Sequence, residues 1–104
     1  MIDLQAFKEV TEETKLFDGS IIHLKKPTQK IIIDMMAFEK NMKNADEQTA
    51  LKEINKLLLI ILNNNTENKL FEVEYIQKYF TFDTMLAFIK AYSDFAKKVQ
   101  DQNF

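Results

Sequence analysis

The feature that most constrains this chain is its near lack of glycine and proline, since Gly19 and Pro27 are the single copies among 104 residues. Such a composition disfavours a loop-rich β-sandwich, a glycine loop for phosphates and a disordered linker. The length fits one domain spanning residues 1–104. We therefore expect a mainly α fold, namely a small helical bundle of about four helices preceded by a short β-hairpin.

The charged and metal-ligating residues exclude several classes of function. The chain has no Cys, and its one histidine, His23, cannot build a multi-histidine metal site. It also has no Arg and a formal net charge of −2, which argues against nucleic-acid binding. The longest apolar run, residues 57–62, is far shorter than the roughly 20 residues that cross a bilayer. We expect no cofactor, no bound metal, no nucleic acid and no membrane partner.

Few side chains qualify as catalytic candidates. His23 is the one candidate for a proton shuttle, but a histidine beside apolar residues on a strand is more often a surface or edge residue. The carboxylate pairs Glu12-Glu13 and Glu72/Glu74 lie on short polar stretches. Acid–base catalysis needs two carboxylates with different pKa values in a shared cleft, and sequence neighbours of this kind more often point into water. The sequence predicts that the chain is not an enzyme and has no catalytic residue.

Asp18-Gly19 lies between two apolar runs and is a strong hairpin signal, because both residues tolerate the positive φ of a type I′ turn. The sequence predicts a hairpin over residues 14–25 with a two-residue loop, in which Leu16 lies opposite Ile21. Side chains alternate along a strand. The expected faces are therefore Phe17, Ile22 and Leu24 on one side, and Leu16, Ile21 and His23 on the other.

Both faces of this hairpin are partly apolar, and an isolated hairpin is marginally stable in water. The hairpin must then pack on the helices or pair with another chain, and its strand edges are open to pairing. We predict self-association into a homo-oligomer, either through the helix surface or through the hairpin, where the candidate residues are Leu16, Ile21 and His23.

The helical part of the chain covers residues 28–100, and apolar residues recur there at helical spacing. Three of the helix N-termini are marked by capping residues, namely Thr28, the capping box of Asn44 and Glu47, and Thr81. The predicted helices run from Thr28 to about Asn41 or Lys43, from Ala45 to about Leu62, from about Val73 to Tyr79, and from about Phe82 to Gln100. The second helix ends in an all-apolar run, which predicts a position in the middle of the domain.

The two ends of the chain carry weaker signals. Residues 1–13 are polar with a few apolar positions, which predicts an N-terminal arm or a short helix through Phe7 and Val10. Residues 101–104 are predicted to form a frayed tail.

The last helix carries two adjacent apolar stripes, which together cover about half of its circumference. We assign one stripe, with Met85, Leu86 and Ile89, to the core. The other is assigned to partner binding, because exposed aromatic patches mark interaction sites; its members are Phe88, Tyr92, Phe95 and Val99. The alternative is that a small bundle surrounds this helix on two sides and buries both stripes.

Several segments together resemble a known family. The Asp-Gly hairpin is followed by a lysine–proline step at Lys26-Pro27, a short helix lies at residues 73–80, and the last helix carries an "F..I.AY..F" pattern. The members of that pattern are Phe88, Ile89, Ala91, Tyr92 and Phe95. This order resembles the tail assembly chaperones of long-tailed phages and prophages of low-GC Gram-positive bacteria, over residues 14–100.

The resemblance implies a non-enzymatic function in virus assembly. Proteins of this family coat the tape-measure protein while tail-tube subunits polymerise around it, and they are absent from the mature virion. It implies a location in the cytoplasm of the bacterial host, and many members also occur as a longer frameshifted product that contacts the tail-tube protein. The alternative that we retain is a small helical phage or prophage regulatory protein that binds DNA or another protein.

Overall fold

The structure is a computed structural model that describes residues 1–6 and 10–102. It has the expected architecture, a two-stranded antiparallel hairpin followed by four helices. The strands are β1 (Thr11–Lys15) and β2 (Ile21–Lys25). The helices are α1 (Gln29–Met42), α2 (Glu47–Leu62), α3 (Val73–Tyr79) and α4 (Phe82–Gln102). A short 3₁₀ turn, Leu4–Ala6, precedes the hairpin.

The predicted boundaries at the two ends need correction. Strand β1 begins at Thr11 because β2 offers pairing partners as far as Lys25, so residues 11–13 belong to the hairpin and not to the arm. The short helix suggested through Phe7 falls on residues 7–9, outside the described part of the chain. Helix α4 continues through Gln102, past the point where a frayed tail was expected, and residues 103–104 are likewise outside the described range.

The hairpin has a different register from the predicted one. Leu16 pairs with Ser20 through its N–H, and the N–H of Gly19 donates to the carbonyl of Leu16, so the loop has three residues, 17–19. Gly19 has a φ of 89°, as the last residue of such a loop requires. Lys15 therefore lies opposite Ile21. A shift of one residue moves side chains to the other face, and Leu16 joins Ile22 and Leu24 on the buried side.

Helix starts follow local hydrogen bonds, as predicted for α1 and α4. The Thr28 hydroxyl accepts from the N–H of Ile31, and the hydroxyl of Thr81 accepts from the N–H of Thr84. The start of α2 differs from the prediction, since its cap is Asp46 and not Asn44. The Asp46 carboxylate accepts from the N–H of Thr49 at 2.8 Å, and its negative charge is favourable at a helix N-terminus.

Helix α2 is the centre of the domain, as its apolar end predicted. It contacts α1, α3 and α4, and the inner face of the hairpin joins the same core. The fully or nearly fully buried residues of α2 are Ile54, Leu57, Leu58, Ile61 and Leu62. This arrangement puts the tip of the hairpin beside α3 and the start of α4, where the candidate site lies.

Candidate functional site

Phe17 stands at the tip of the hairpin with half of its side chain exposed. Phe17 is the first residue of the three-residue loop and directly follows Leu16, whose side chain enters the core, while that of Phe17 stays at the surface. Its ring stacks on Tyr79 with centroids 6.1 Å apart and meets Phe80 edge-on at 4.9 Å. Phe17 is thus an apolar residue held in a fixed position at the surface by aromatic contacts.

Helix α3 supplies the rings beneath Phe17. Tyr75 and Tyr79 are four residues apart, so they share a face of the helix, and their centroids are 5.0 Å apart. Phe80 directly follows this helix as its C-cap, and its ring centroid lies 6.0 Å from that of Phe88 on α4. We call the set Phe17, Tyr75, Tyr79, Phe80 and Phe88 the aromatic surface.

Two clefts lie on either side of Phe17 and share its ring as a wall. The tyrosine cleft has a volume of about 280 Å³ and is lined by Phe17, Asp18, Tyr75 and Tyr79. The hairpin cleft has a volume of about 310 Å³ and is largely apolar. Its lining residues are Thr14, Lys15, Leu16, Phe17, Leu62, Phe80, Thr84, Ala87 and Phe88. Clefts with aromatic walls and a few polar groups are typical of binding sites.

The tyrosine cleft is also electrostatically distinct. The hydroxyl of Ser20 and then its N–H donate to Asp18 and hold the pKa of its carboxyl below the usual value, so the group is ionised at neutral pH. Burial is the largest cause that raises the pKa of Tyr75, and the Asp18 charge adds to it. The cleft therefore combines aromatic rings with one negative charge.

The stripe of α4 that we predicted to be exposed for a partner is mostly buried, so that prediction is wrong. Tyr92, Phe95 and Val99 are at most 5% exposed, and Phe88 alone of the four reaches the surface, half-buried beside the hairpin cleft. The reason is that α4 packs against α2 on one side, while Tyr92 reaches the hairpin on the other. For this stripe the alternative interpretation is correct, namely that the bundle surrounds the helix on two sides.

The three residues of α4 that we assigned to the core differ in how far they are buried. Met85 is buried as expected and Ile89 is half-buried, but Leu86 is 42% exposed. Helical spacing identified the two apolar stripes of α4. The position of α2 decided which residues of those stripes are covered.

The residues predicted for self-association lie in different environments. Leu16 is buried in the core and cannot contact a second chain, which corrects that assignment. Ile21 remains exposed on the outer face of β2, and His23 is partly exposed there. Self-association through the outer face or the helix surface stays a prediction.

One of the two hairpin edges is covered, which also corrects the expectation of open edges. Residues 64–67 run beside β2: the N–H of Lys25 donates to the carbonyl of Asn64, and the N–H of Thr66 donates to the carbonyl of His23. The Glu67 carboxylate completes this cover by accepting from the N–H of His23 at 2.9 Å. Strand pairing between copies would therefore use β1.

The Glu67 carboxylate has a second contact with His23. Nδ1 of the imidazole ring lies 2.7 Å from Oε2 of Glu67. The backbone N–H of His23, followed by its ring, lowers the pKa of the Glu67 carboxyl to about 2. This pair fixes the 64–67 segment against β2, which is a structural role for the one histidine of the chain.

Tyr75 and Tyr79 are the functional candidates that the sequence reasoning missed. The signal that could have found them is their i, i+4 spacing, which puts both tyrosines on one face of the predicted short helix. The predicted two-residue loop puts Phe17 on the same face as Ile22 and Leu24, but those two residues are buried and Phe17 is exposed.

Comparison with protein-family models, curated proteins and solved structures finds no match to this chain. Within residues 1–6 and 10–102, no three His, Asp or Glu side chains are grouped so as to hold a metal ion. In the same part of the chain, none of the helices has the length and apolar character needed to span a membrane.

Proposed function

We propose that this chain is a non-enzymatic phage tail assembly chaperone, which binds the tape-measure protein through the aromatic surface. The observation that carries the proposal is the stacked pair Phe17 and Tyr79, which are 50% and 45% exposed. Phe17 lines both clefts, and Tyr79 lines the tyrosine cleft. A monomer usually buries rings of this size, and exposed aromatic clusters are the commonest anchors of protein interfaces.

The shape of the aromatic surface suits a helical client. The hairpin cleft takes apolar side chains between Phe17 and Phe88, and an amphipathic helix presents such side chains every three or four residues. A long client helix would thus meet several copies of this chain in turn, each covering a short apolar stretch.

The overall dimensions are also those of a chain that covers another molecule. It is flat, 49 × 33 × 18 Å, with a radius of gyration of 14.6 Å against about 13 Å for a compact domain of this length. Its accessible surface is 7725 Å², whereas about 6,100 Å² is typical of a monomer of this mass. Part of the additional surface lies on the projecting N-terminal residues Met1, Ile2 and Leu4, and part of it lies on the bundle, where the aromatic surface is exposed.

In this proposal the protein acts in the cytoplasm of the bacterial host and leaves before the virion is complete. Contact with the tail-tube protein belongs to a longer frameshifted form, as the family resemblance implies. The chain described here supplies the part that binds the client.

The test is binding to the tape-measure protein encoded beside this gene. Purified wild-type chain should bind it, and Phe17→Ala and Tyr79→Ala should each weaken binding by about 1–4 kcal/mol, the range for interface anchors. Ile33→Ala is the matched control, because Ile33 is 57% exposed on α1 and lines neither cleft. Thermal unfolding of each variant excludes loss of the fold as the cause.

Two results would contradict the proposal. One is that the wild-type chain does not bind the tape-measure protein in solution. The other is that Phe17→Ala and Tyr79→Ala bind it as tightly as Ile33→Ala does, which would place the contact on another surface.

A further inference from the structure

The tyrosine cleft has the composition of a cation site. Three rings line it, with centroids 5.0 to 6.5 Å apart, and the fourth lining residue is the carboxylate Asp18. Aromatic faces carry a partial negative charge that attracts ammonium and guanidinium groups. A carboxylate beside such faces adds a full negative charge to the same attraction.

The Asp18 carboxylate has an oxygen available for a ligand. Its Oδ1 accepts both bonds from Ser20, at 2.9 Å from the N–H and 2.6 Å from the hydroxyl. Among residues 1–6 and 10–102, Oδ2 accepts no hydrogen bond, and the ion pairs of this part of the chain involve other carboxylates. Lys69 is near enough to favour the ionised form but makes no ion pair with it.

Two rings in this region already have a lysine ammonium group over them, and one of the two, Tyr79, also lines the tyrosine cleft. Nζ of Lys78 lies 5.3 Å from the centroid of Tyr79, and Nζ of Lys69 lies 5.5 Å from that of Phe71. Neither lysine lines the tyrosine cleft. These contacts indicate that the electron-rich faces here attract ammonium groups, while the unpaired Asp18 oxygen is left for a cation from outside.

We propose that the tyrosine cleft binds a lysine or arginine side chain of the partner polypeptide, with its charged group between the tyrosine rings and Asp18. The hairpin cleft on the other side of Phe17 is lined mainly by apolar groups and would take an apolar side chain of the same segment. The partner is thus recognised by a basic and an apolar residue that lie on either side of Phe17. The identity of the partner rests on the proposed function, but the cleft can be tested without it.

The first experiment uses small probes, namely N-acetyl-lysine, N-acetyl-arginine and N-acetyl-norleucine methylamides. Each is titrated into the whole chain while the ring NMR signals of Phe17, Tyr75 and Tyr79 are followed. We expect saturable shifts with the lysine and arginine probes and dissociation constants in roughly the millimolar range, since one side chain is a small ligand. The norleucine probe, which has a similar length and no charge, should bind at least about fivefold more weakly.

The matched variants are Asp18→Asn and Glu74→Gln. The amide of Asp18→Asn keeps an oxygen that accepts from Ser20, so the loop is retained while the charge is removed. Glu74→Gln removes the same charge from α3 without changing the lining of the cleft. Asp18→Asn should weaken binding of both cationic probes about fivefold or more, and Glu74→Gln should leave it within about twofold.

Three outcomes overturn the inference: no shift of the ring signals with either cationic probe, equal binding of the norleucine probe, or equal loss of affinity in the two variants. Failure of the proposed function is seen separately. If the cationic probes bind but the tape-measure protein does not, the cation site stands and the chaperone proposal fails. If the tape-measure protein binds, with loss in Phe17→Ala but no change in Asp18→Asn, the chaperone proposal stands and the cation site fails.

Discussion

The phenol of Tyr92 donates a hydrogen bond of 2.9 Å to the main-chain carbonyl of Lys25, across 67 positions of the sequence. This bond joins the middle of α4 to the last residue of β2 beneath the surface, where Tyr92 is 1% exposed. Burial raises the pKa of this phenol from 10.0 to about 12, so the donor proton stays in place well into the alkaline range. The hairpin is thus attached to the bundle by a polar contact as well as by its apolar face.

Replacement of Tyr92 by Phe tests that attachment. We expect Tyr92→Phe to lower the free energy of unfolding by about 1–2 kcal/mol, because the ring packing is kept while the Lys25 carbonyl loses its donor. Urea denaturation measures the change. Tyr79→Phe is the control, since Tyr79 is 45% exposed and its hydroxyl has access to water. Equal stability losses in the two variants would contradict the role given to the Tyr92 bond.

The difference in burial between Phe95 and Leu86 predicts that their replacement by alanine changes the stability of the chain to different extents. Phe95→Ala should lose about 3–5 kcal/mol of stability because it opens a cavity in the core, whereas Leu86→Ala should lose less than about 1 kcal/mol at a site that is 42% exposed. Thermal and denaturant unfolding of both variants provide the measurement. If Leu86→Ala is the more damaging change, the orientation of α4 described here is incorrect.

Gly19 provides a test of the hairpin loop. Its φ of 89° is unfavourable for residues with a Cβ, yet a Cβ at this position would meet no atom within 4 Å. Gly19→Ala should therefore destabilise the chain by about 1–2 kcal/mol through backbone strain alone. Gly19→Asn should be less destabilising, because asparagine adopts positive φ more readily. A stability of Gly19→Ala equal to that of wild type would argue for a different loop.

The Glu67 carboxyl should make the free energy of unfolding depend on pH in the acid range. Its pKa in the folded chain is about 2, against an ordinary value of 4.5, because the N–H and then the ring of His23 bind the ionised form. The unfolded chain takes up the proton first as the pH falls, so this stabilisation is complete above pH 4.5 and is lost toward pH 2.

Urea denaturation measured between pH 4.5 and 2 checks whether the free energy of unfolding falls as the pH falls. Glu67→Gln should flatten the dependence between pH 4.5 and 2 relative to wild type. Glu74→Gln is the control, because within residues 1–6 and 10–102 the carboxylate that accepts hydrogen bonds from β2 is that of Glu67, and it should leave that part of the profile unchanged. A wild-type stability that rises as the pH falls through this interval would refute the assignment.

Short-range signals predicted much of the fold correctly. Thr28 and Thr81 cap their helices, α3 covers the residues expected of it, and α2 ends at Leu62 in the middle of the core. These features depend on contacts within a few residues, such as a hydroxyl and an N–H three positions apart. Such contacts can be read from adjacent letters, although the predicted cap of α2 at Asn44 was wrong by two residues.

The candidate site was less predictable, because it forms where distant segments meet. Phe17, Tyr75 and Phe88 are separated by many residues along the chain and come together when the hairpin tip packs beside α3 and α4. A hairpin loop of three residues instead of two decided that Leu16 enters the core and Phe17 remains at the surface. Asp-Gly is compatible with both loops, so the choice depends on which face finds apolar partners.

The sequence by itself determined that the chain forms one hairpin and four helices, since the glycine at position 19, the caps and the apolar spacing are local properties of the letters. Which side of α4 is covered was decided by the tertiary structure alone. Two stripes of similar hydrophobicity compete for α2 and the hairpin, and Tyr92 and Phe95 are buried while Leu86 is left exposed. Periodicity measures how apolar each face of a helix is, whereas burial depends on the shape and position of the neighbours that meet that face.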